Sequence, residues 1–234
     1  IDMKFESELI SGTLIKRYKR FFVDIKINNI NITAHCPNTG SMMGLLKKGN
    51  KVWVTKNDNP KRKLKYTLQI IETASSKVGV NTLITNNIFY EALSENKLKF
   101  FGKDLTIKRE QKFGKNTRFD FFIEKNKIKS FIEVKNVTLL RKKGIAEFPD
   151  AETLRGAKHI KKLIEASKKG FNIYIVYVVQ REDCDYFSIA KDIDKEYAKL
   201  LTEAVKKKLK IVCFDCKFIS KGISINKCLK FLKL

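Results

Sequence analysis

The sequence predicts a mixed α/β protein of two domains, a small β-barrel followed by a larger domain with a mixed central sheet. Five short strand-like segments fall within about 65 residues of the N-terminal part, which suits a small closed barrel. Beyond Asn81 the order becomes helix, three strands, helix, strand, helix, strand, which is typical of a mixed α/β domain. Ser75-Ser76 separates the two patterns, so the predicted domains are residues 1–76 and 77–234.

The barrel strands are short runs of apolar and β-branched residues between turn residues. Asn28-Asn29 is the expected hairpin turn between the second and third strands. Five strands in this space fit a barrel of the OB type. The predicted strands are residues 9–17, 21–27, 31–35, 51–55 and 64–72.

The second domain begins with an amphipathic helix over residues 82–95, whose apolar side chains recur at helical spacing. Gly170 ends a basic amphipathic helix over residues 151–169, and a further helix is predicted at 194–207. The predicted strands of the domain are residues 105–113, 118–123, 128–137, 171–179 and 211–214.

Composition restricts the class of partner. The formal net charge is +24, and such a field attracts polyanions, of which nucleic acid is the usual one. No apolar run reaches the ~18 residues of a membrane span. The N-terminal segment has acidic residues and no apolar core of an export signal, and the five cysteines are irregularly spaced. We therefore expect a cytoplasmic protein with free thiols and no membrane partner.

The most informative pattern is an aspartate followed, thirteen residues later, by Glu-x-Lys. Asp120 lies in one strand-like run, and Glu133 and Lys135 lie in the next. Glu-x-Lys alone means little in a chain with 41 lysines, since it also occurs at residues 95–97 and 110–112. Only the third copy has an aspartate on a separate preceding strand. Alternation along a strand places Glu133 and Lys135 on one face, and a hairpin turning at Asn126-Lys127 places Asp120 opposite Glu133.

Two carboxylates and a lysine in this arrangement suit a metal site that handles phosphate. Asp120 and Glu133, with the Val134 backbone carbonyl, are expected to hold Mg²⁺ or Mn²⁺, and Glu91 on the preceding helix is a possible additional ligand. Lys135 is expected to orient or activate the attacking water, or to neutralise developing charge. The alternative is a solvated strand face with an ordinary ion pair.

A second set of residues predicts nucleic-acid binding on the barrel. Basic and aromatic residues interleave at positions 17–22, as in strands that stack bases and contact phosphates, although such aromatics also form barrel cores. The loop at 35–41 could grip a phosphate or a base, or be a tight turn. The predicted binding residues are Arg17, Lys19, Arg20, His35, Asn38, Lys61, Arg62 and Lys63.

Two further groups of residues could belong to a functional site or have only a structural role. Arg155, His159, Gln180 and Arg181 could line a site beside Asp120, or could be surface and strand-end groups. Cysteines at 184, 213, 216 and 228 would suffice for a zinc or iron–sulfur site, but their spacing does not repeat, and buried free cysteines behave as small apolar residues.

Taken together, these motifs resemble the SfsA (sugar fermentation stimulation protein A) family. They follow one another in order over nearly the whole chain. One departure is Phe119, which stands where the PD-(D/E)xK motif of related nucleases has a proline before its aspartate. The matching stretches are 14–21 (LIKRYKRF), 33–42 (TAHCPNTGSM), 59–64 (NPKRKL), 78–82 (VGVNT), 118–121 (RFDF), 133–139 (EVKNVTL), 148–151 (FPDA), 155–159 (RGAKH) and 179–181 (VQR).

The resemblance implies an N-terminal OB-fold, a PD-(D/E)xK nuclease-like domain and DNA binding. On this basis we expect a DNA-binding protein with a Mg²⁺-dependent phosphodiester-hydrolysing site at Asp120, Glu133 and Lys135. The alternative that the resemblance also implies is a non-catalytic transcriptional regulator of sugar (maltose) metabolism on a nuclease fold. An RNA-processing factor is a third possibility, because a basic barrel does not distinguish RNA from DNA. The oligomeric state stays open, a homodimer being possible.

Overall fold

The computed structural model describes residues 3–232, and its N-terminal part is a barrel. Within that range, no helix is both long and apolar enough to cross a bilayer. The first strand, β1 (Met3–Lys4), pairs with a strand of the second domain and is not part of the barrel. The strands of the barrel sheet are β2 (Leu9–Tyr18), β3 (Phe22–Ile27), β4 (Ile30–His35), β5 (Lys51–Lys56), β6 (Tyr66–Glu72) and β7 (Lys77–Gly79).

The barrel forms because its strands turn apolar side chains to a shared interior. Leu14, Val23 and Val52 are among the apolar side chains that fill its interior. The strand order is β4-β3-β2-β5-β6-β7, and pairing of His35 on β4 with Thr67 on β6 closes the sheet on itself. The five predicted strands are therefore present as a closed barrel. β7 begins directly after Ser75-Ser76 and continues the barrel sheet by pairing with β6.

The second domain has a mixed central sheet with helices on both faces. Its elements are a 3-10 turn (Thr82–Ile84), α1 (Thr85–Ser94), β8 (Thr106–Phe113), β9 (Thr117–Lys125), β10 (Ile128–Val137), β11 (Leu139–Lys142), β12 (Gly144–Phe148), α2 (Leu154–Lys168), β13 (Asn172–Val179), β14 (Cys184–Ile189), α3 (Lys195–Lys206), β15 (Lys210–Ile219), β16 (Gly222–Cys228) and β17 (Lys230–Phe231).

The central sheet has the order β1-β16-β15-β13-β10-β9-β8, and β10, β13 and β15 run parallel. Alternate residues of these strands form two cores. Phe131 and Tyr177 belong to the core with α2 and α3, while Ile132 and Val176 belong to the core with α1. The predicted two-domain mixed α/β class is confirmed.

A small second sheet, β11-β12-β14-β17, was not predicted. Its strands are short and carry charged residues, such as Arg141 and Lys142 on β11, so they lack an apolar run that would mark them. They are stabilised by tertiary pairing. One side of this sheet packs on the core of α2 and α3 through Ala146 and Phe187.

The barrel sits on the second domain at the carboxyl ends of β10 and β13. The Gly79 amide donates to the Gln180 carbonyl at 2.9 Å, and Ser75 Oγ donates to Asp183 Oδ2 at 2.6 Å. On the other side of the junction, the Met42 amide donates to Asp150 Oδ2 at 3.0 Å. Since ligands of open α/β sheets bind outside the carboxyl ends of the strands, this junction is where a site is expected.

Candidate active site

The hairpin β9–β10 positions the predicted carboxylates. Asn126 and Lys127 both have positive φ, at 50° and 66°, as a two-residue hairpin turn requires. The strands pair in the predicted register as far as Ile132 opposite Phe121. One step further, Asp120 and Glu133 are the next residues, and here the two strands separate.

Asp120 bridges this opening between the strands. Its Oδ2 accepts the Val134 amide hydrogen bond at 2.7 Å, and its Oδ1 accepts from Asn86 Nδ2 of α1 at 2.8 Å. The carboxylate therefore replaces the carbonyl that a continuing strand would present. Both bonds fix its position at the edge of the cleft.

Glu133 lies deeper, on the face of β10 that it shares with Lys135. Lys135 Nζ donates to Glu133 Oε1 at 2.7 Å, and His159 Nδ1 of α2 contacts the same oxygen. Glu133 is 2% exposed, and its Oε2 is buried without a hydrogen-bond partner among the described residues. A buried carboxylate oxygen with no partner is costly, so this oxygen is a position where a cation is expected.

The two carboxylates are electrostatically different. Burial, together with the nearby Glu133 charge, raises the pKa of Asp120 to about 6. Burial also acts to raise the pKa of Glu133, but Lys135 and the His159 contact outweigh it and hold that pKa below its ordinary value. The raised pKa of Asp120 and the unpartnered Glu133 Oε2 lie side by side. Together they indicate a site that lacks positive charge.

The donor set fits a small hard cation. Within residues 3–232 no cluster of three or more His, Cys, Asp or Glu side chains is arranged to enclose a metal. Two carboxylates and a backbone carbonyl, with water completing the shell, are the kind of set that Mg²⁺ uses. The same absence applies to the four cysteines considered as a zinc or iron–sulfur site, and burial raises the pKa values of the Cys213 and Cys216 thiols.

Glu91 does not reach this site, which corrects its assignment as an additional ligand. It lines a separate small cavity beside Met3 and Ile223. Asn86 is the residue that α1 presents to Asp120, and Glu91 is five positions further, about 140° round the helix. The rotational phase of α1 therefore directs the carboxylate away from the cleft.

The site opens into a cleft of about 690 Å³ whose walls are polar, with basic side chains and, besides Asp120 and Glu133, the acidic Glu110. Arg118 on β9 and Arg155 and Lys158 on α2 line it together with Lys135 and His159. Sequence reasoning found Arg155 and His159 but missed Arg118, Lys158 and Asn86. Arg118 is two residues before Asp120, and that proximity was the available signal.

The other two predicted supporting residues lie at the domain junction. Gln180 Nε2 donates to Asn136 Oδ1 at 2.6 Å and to Thr85 Oγ1 at 3.2 Å. Arg181 is buried and pairs with Asp183 at 2.8 Å. Neither lines the cleft, although Gln180 contacts Asn136, the neighbour of Lys135.

The predicted barrel residues divide into two groups. Lys19, Arg20, Lys61 and Lys63 are exposed and available to a ligand.

The remaining four are engaged within the barrel. Arg17 donates to the carbonyls of Asn38 and Gly40 at 2.6 and 3.0 Å, and the Asn38 side chain is buried against Val80. Arg62 donates to Thr67. Burial and the Arg62 charge lower the pKa of His35. Arg17 and Asn38 therefore shape the loop at 36–41, a role that differs from the predicted direct contact.

Two family models match the chain. The model of the SfsA N-terminal OB domain matches residues 15–80, and that of the sugar fermentation stimulation protein RE domain matches residues 83–222. The sugar fermentation stimulation protein homolog of Pelagibacter ubique is 55% identical over 98% of this chain and 99% of its own length. That of Agrobacterium fabrum is 38% identical over 96% and 95%.

A solved structure is similar throughout. It is that of Pyrococcus furiosus SfsA in complex with Ca²⁺, with a TM-score of 0.87 and 26% identity, covering 99% of this chain and 98% of that chain. The matched fold extends over both the barrel and the second domain. The chain therefore belongs to the SfsA family.

Proposed function

We propose that this protein is a metal-dependent hydrolase of phosphodiester bonds in nucleic acid, with its site at Asp120, Glu133 and Lys135. The observation that carries the proposal is the buried Glu133 Oε2, which has no partner among the described residues and lies in a basic cleft beside Asp120. Fold stability alone gives no reason to bury such a group.

Asp120, Glu133 and the Val134 carbonyl would hold Mg²⁺ or Mn²⁺. Bound there, the ion supplies a Lewis acid that activates water and stabilises charge on the phosphate. The Ca²⁺ in the complex of the Pyrococcus furiosus relative supports a divalent cation in this family. His159 holds Glu133 Oε1, which leaves Oε2 directed to the ion.

Lys135 is the side chain best suited to act on the reacting phosphate. Its side chain is 15% exposed, and its ammonium is held at 2.7 Å from Glu133 Oε1, so it has little freedom to leave the cleft. In this position it can orient an attacking water through a hydrogen bond and offset the negative charge that develops on the phosphoryl oxygens.

The charge distribution supports nucleic acid as the substrate. The cleft presents Arg118, Arg155 and Lys158, which can bind phosphates on either side of the site. On the barrel, the exposed residues Lys19 and Lys61 can hold the strand further along. The net charge of +24 adds a long-range attraction.

The test is cleavage of labelled DNA and RNA with Mg²⁺ or Mn²⁺. Cutting should be lost in Asp120→Ala and Lys135→Ala and retained in Lys97→Ala. The last is a matched control, because Lys97 belongs to another Glu-x-Lys and pairs with Glu95 at 2.6 Å. Equal cutting by the three variants would sink the proposal. Salt-sensitive binding without cutting would favour a non-catalytic regulator, and competition between the polymers would separate DNA from RNA.

A further inference from the structure

A second cavity, of about 230 Å³, opens beside the active-site cleft, between the loop at 36–41 and the second domain. Thr82 and Asn136 line both spaces, so the two are adjacent. Asn136 follows Lys135 directly. A nucleotide whose phosphate lies at Lys135 therefore has this cavity within reach.

The walls of the cavity are held in place from both domains. Arg17 binds the carbonyls of Asn38 and Gly40, and Asp150 Oδ2 accepts the Met42 amide at 3.0 Å. The loop approaches Asp150 so closely that a Cβ at Gly40 would lie 2.5 Å from Oδ2. A cavity with walls fixed in this way is preorganised for a ligand.

Polar groups in the cavity lack partners. Thr138 is 6% exposed, and its hydroxyl makes no hydrogen bond to any residue within 3–232. Asn136 uses its Oδ1 to accept from Thr85 and Gln180, which leaves its amide NH₂ to donate. Glu152 contributes an exposed carboxylate at the rim. Thr138, Asn136 and Glu152 thus contribute a hydroxyl, an amide donor and a carboxylate acceptor to the lining of one small space.

The charge of this cavity is opposite to that of the cleft. Among the described residues no lysine or arginine lines it. Of its three acidic residues, Glu147 is paired with Arg141 at 2.8 Å, which leaves Asp150 and Glu152 as its negative charges. Phosphate is therefore disfavoured here and favoured in the adjacent cleft. A neutral planar group with its own donor is the occupant that suits these walls.

We infer that this cavity is a base-specific subsite for the nucleotide next to the scissile phosphate, and that it takes a base with an exocyclic amino group. The inference rests on the proposed function and deepens it. The amino group of cytosine can donate to Glu152, while its ring nitrogen and carbonyl accept from Asn136 and Thr138. Uracil presents a carbonyl where cytosine has the amino group, and this oxygen would face the Glu152 carboxylate.

The test compares fluorescein-labelled (dC)12 and (dU)12 by fluorescence anisotropy, with Ca²⁺ in place of Mg²⁺. We expect the wild-type protein to bind (dC)12 roughly fivefold to tenfold more tightly, as one or two added hydrogen bonds predict. Glu152→Gln and Thr138→Val should bring the ratio near one by weakening (dC)12 binding. Thr138→Ser keeps the hydroxyl and should keep the ratio, as should Glu203→Gln, an exposed acid on α3.

Equal or undetectable binding of the two oligonucleotides by the wild type would overturn the subsite, as would an unchanged ratio in Glu152→Gln. The cleavage assay is a separate measurement. A base preference without any cutting supports the subsite and contradicts the nuclease, whereas cutting without a base preference does the reverse.

Discussion

Asp120 Oδ2 accepts the Val134 amide hydrogen bond at 2.7 Å where β9 leaves β10. This bond connects the site to the fold. The strand separation that opens the cleft would leave a backbone donor unsatisfied, and the carboxylate satisfies it. The same carboxylate is half-buried beside Glu133, and its raised pKa shows that its charge is costly there.

The pH dependence of stability should show this cost in metal-free protein. Burial and Glu133 raise the pKa of Asp120 from 3.8 to about 6, which corresponds to about 3 kcal/mol. Below pH ~4 the group is protonated in both the native and unfolded states. Between pH ~4 and ~6 only the native state keeps the proton, so the stability contribution of Asp120 is lost as pH rises through the folded pKa.

Asp120→Asn should therefore match the wild type near pH 4 and exceed its free energy of unfolding by up to about 3 kcal/mol at pH 7, measured by urea denaturation with EDTA. Asparagine keeps an oxygen for the Val134 amide. Its NH₂ replaces the oxygen that accepts from Asn86, and the Asn86 amide can rotate to present its own oxygen instead. A difference between the two proteins that is constant from pH 4 to 7 would contradict the assignment.

His159 should act through Glu133. Its Nδ1 contacts Oε1, and without it the carboxylate can rotate away from the cation position. His159→Ala should weaken Mn²⁺ binding by roughly 10–100-fold in isothermal titration calorimetry, as losses of such supporting contacts do. The matched control is Lys158→Ala on the same helix. It should weaken nucleic-acid binding and leave Mn²⁺ affinity unchanged, and equal Mn²⁺ affinities in both variants would count against the role of His159.

The hairpin β9–β10 could be predicted from sequence because its determinants are local. Strand alternation sets the face shared by Glu133 and Lys135, and the turn at Asn126-Lys127 sets the register. The position of Glu91 could not be predicted, because it depends on how α1 rotates against the sheet. The strands of the small sheet could not be predicted for a related reason. Their pairing depends on tertiary structure, and their apolar and polar residues do not alternate regularly.

The role of Arg17 also depends on tertiary structure. A basic residue between aromatics suggests a phosphate contact, but here the guanidinium donates into its own loop. Nothing in the local sequence indicates whether the carbonyls of Asn38 and Gly40 will turn towards it.

This arrangement predicts separate effects for two neighbouring arginines. Arg17→Ala leaves the carbonyls of Asn38, Gly40 and Arg20 without their donor and should lower the free energy of unfolding by about 2–3 kcal/mol. Arg17→Lys should recover only part of it, because an ammonium cannot reproduce the fork.

Arg20→Ala is the control, because this side chain is exposed. It should change stability by less than about 0.5 kcal/mol while weakening nucleic-acid binding. Denaturation and nucleic-acid binding assays on the same preparations distinguish the two roles. An Arg17→Ala variant that is as stable as the wild type but binds nucleic acid weakly would show that Arg17 contacts the ligand directly.

The barrel loop between β5 and β6 carries exposed lysines, and their contribution should be measurable in the salt dependence of binding. Lys61 and Lys63 can each neutralise one phosphate, and every phosphate contact adds about 0.9 to the slope of log K against log salt on duplex DNA. The double variant Lys61→Ala/Lys63→Ala should therefore lower the slope by up to about 1.8 and weaken binding of all sequences alike. Lys199→Ala/Lys206→Ala, which removes two exposed lysines from α3, should leave the slope unchanged because that helix packs away from the barrel loop. Equal slopes for the two double variants would mean that attraction comes from net charge alone and that the barrel loop is not a contact surface.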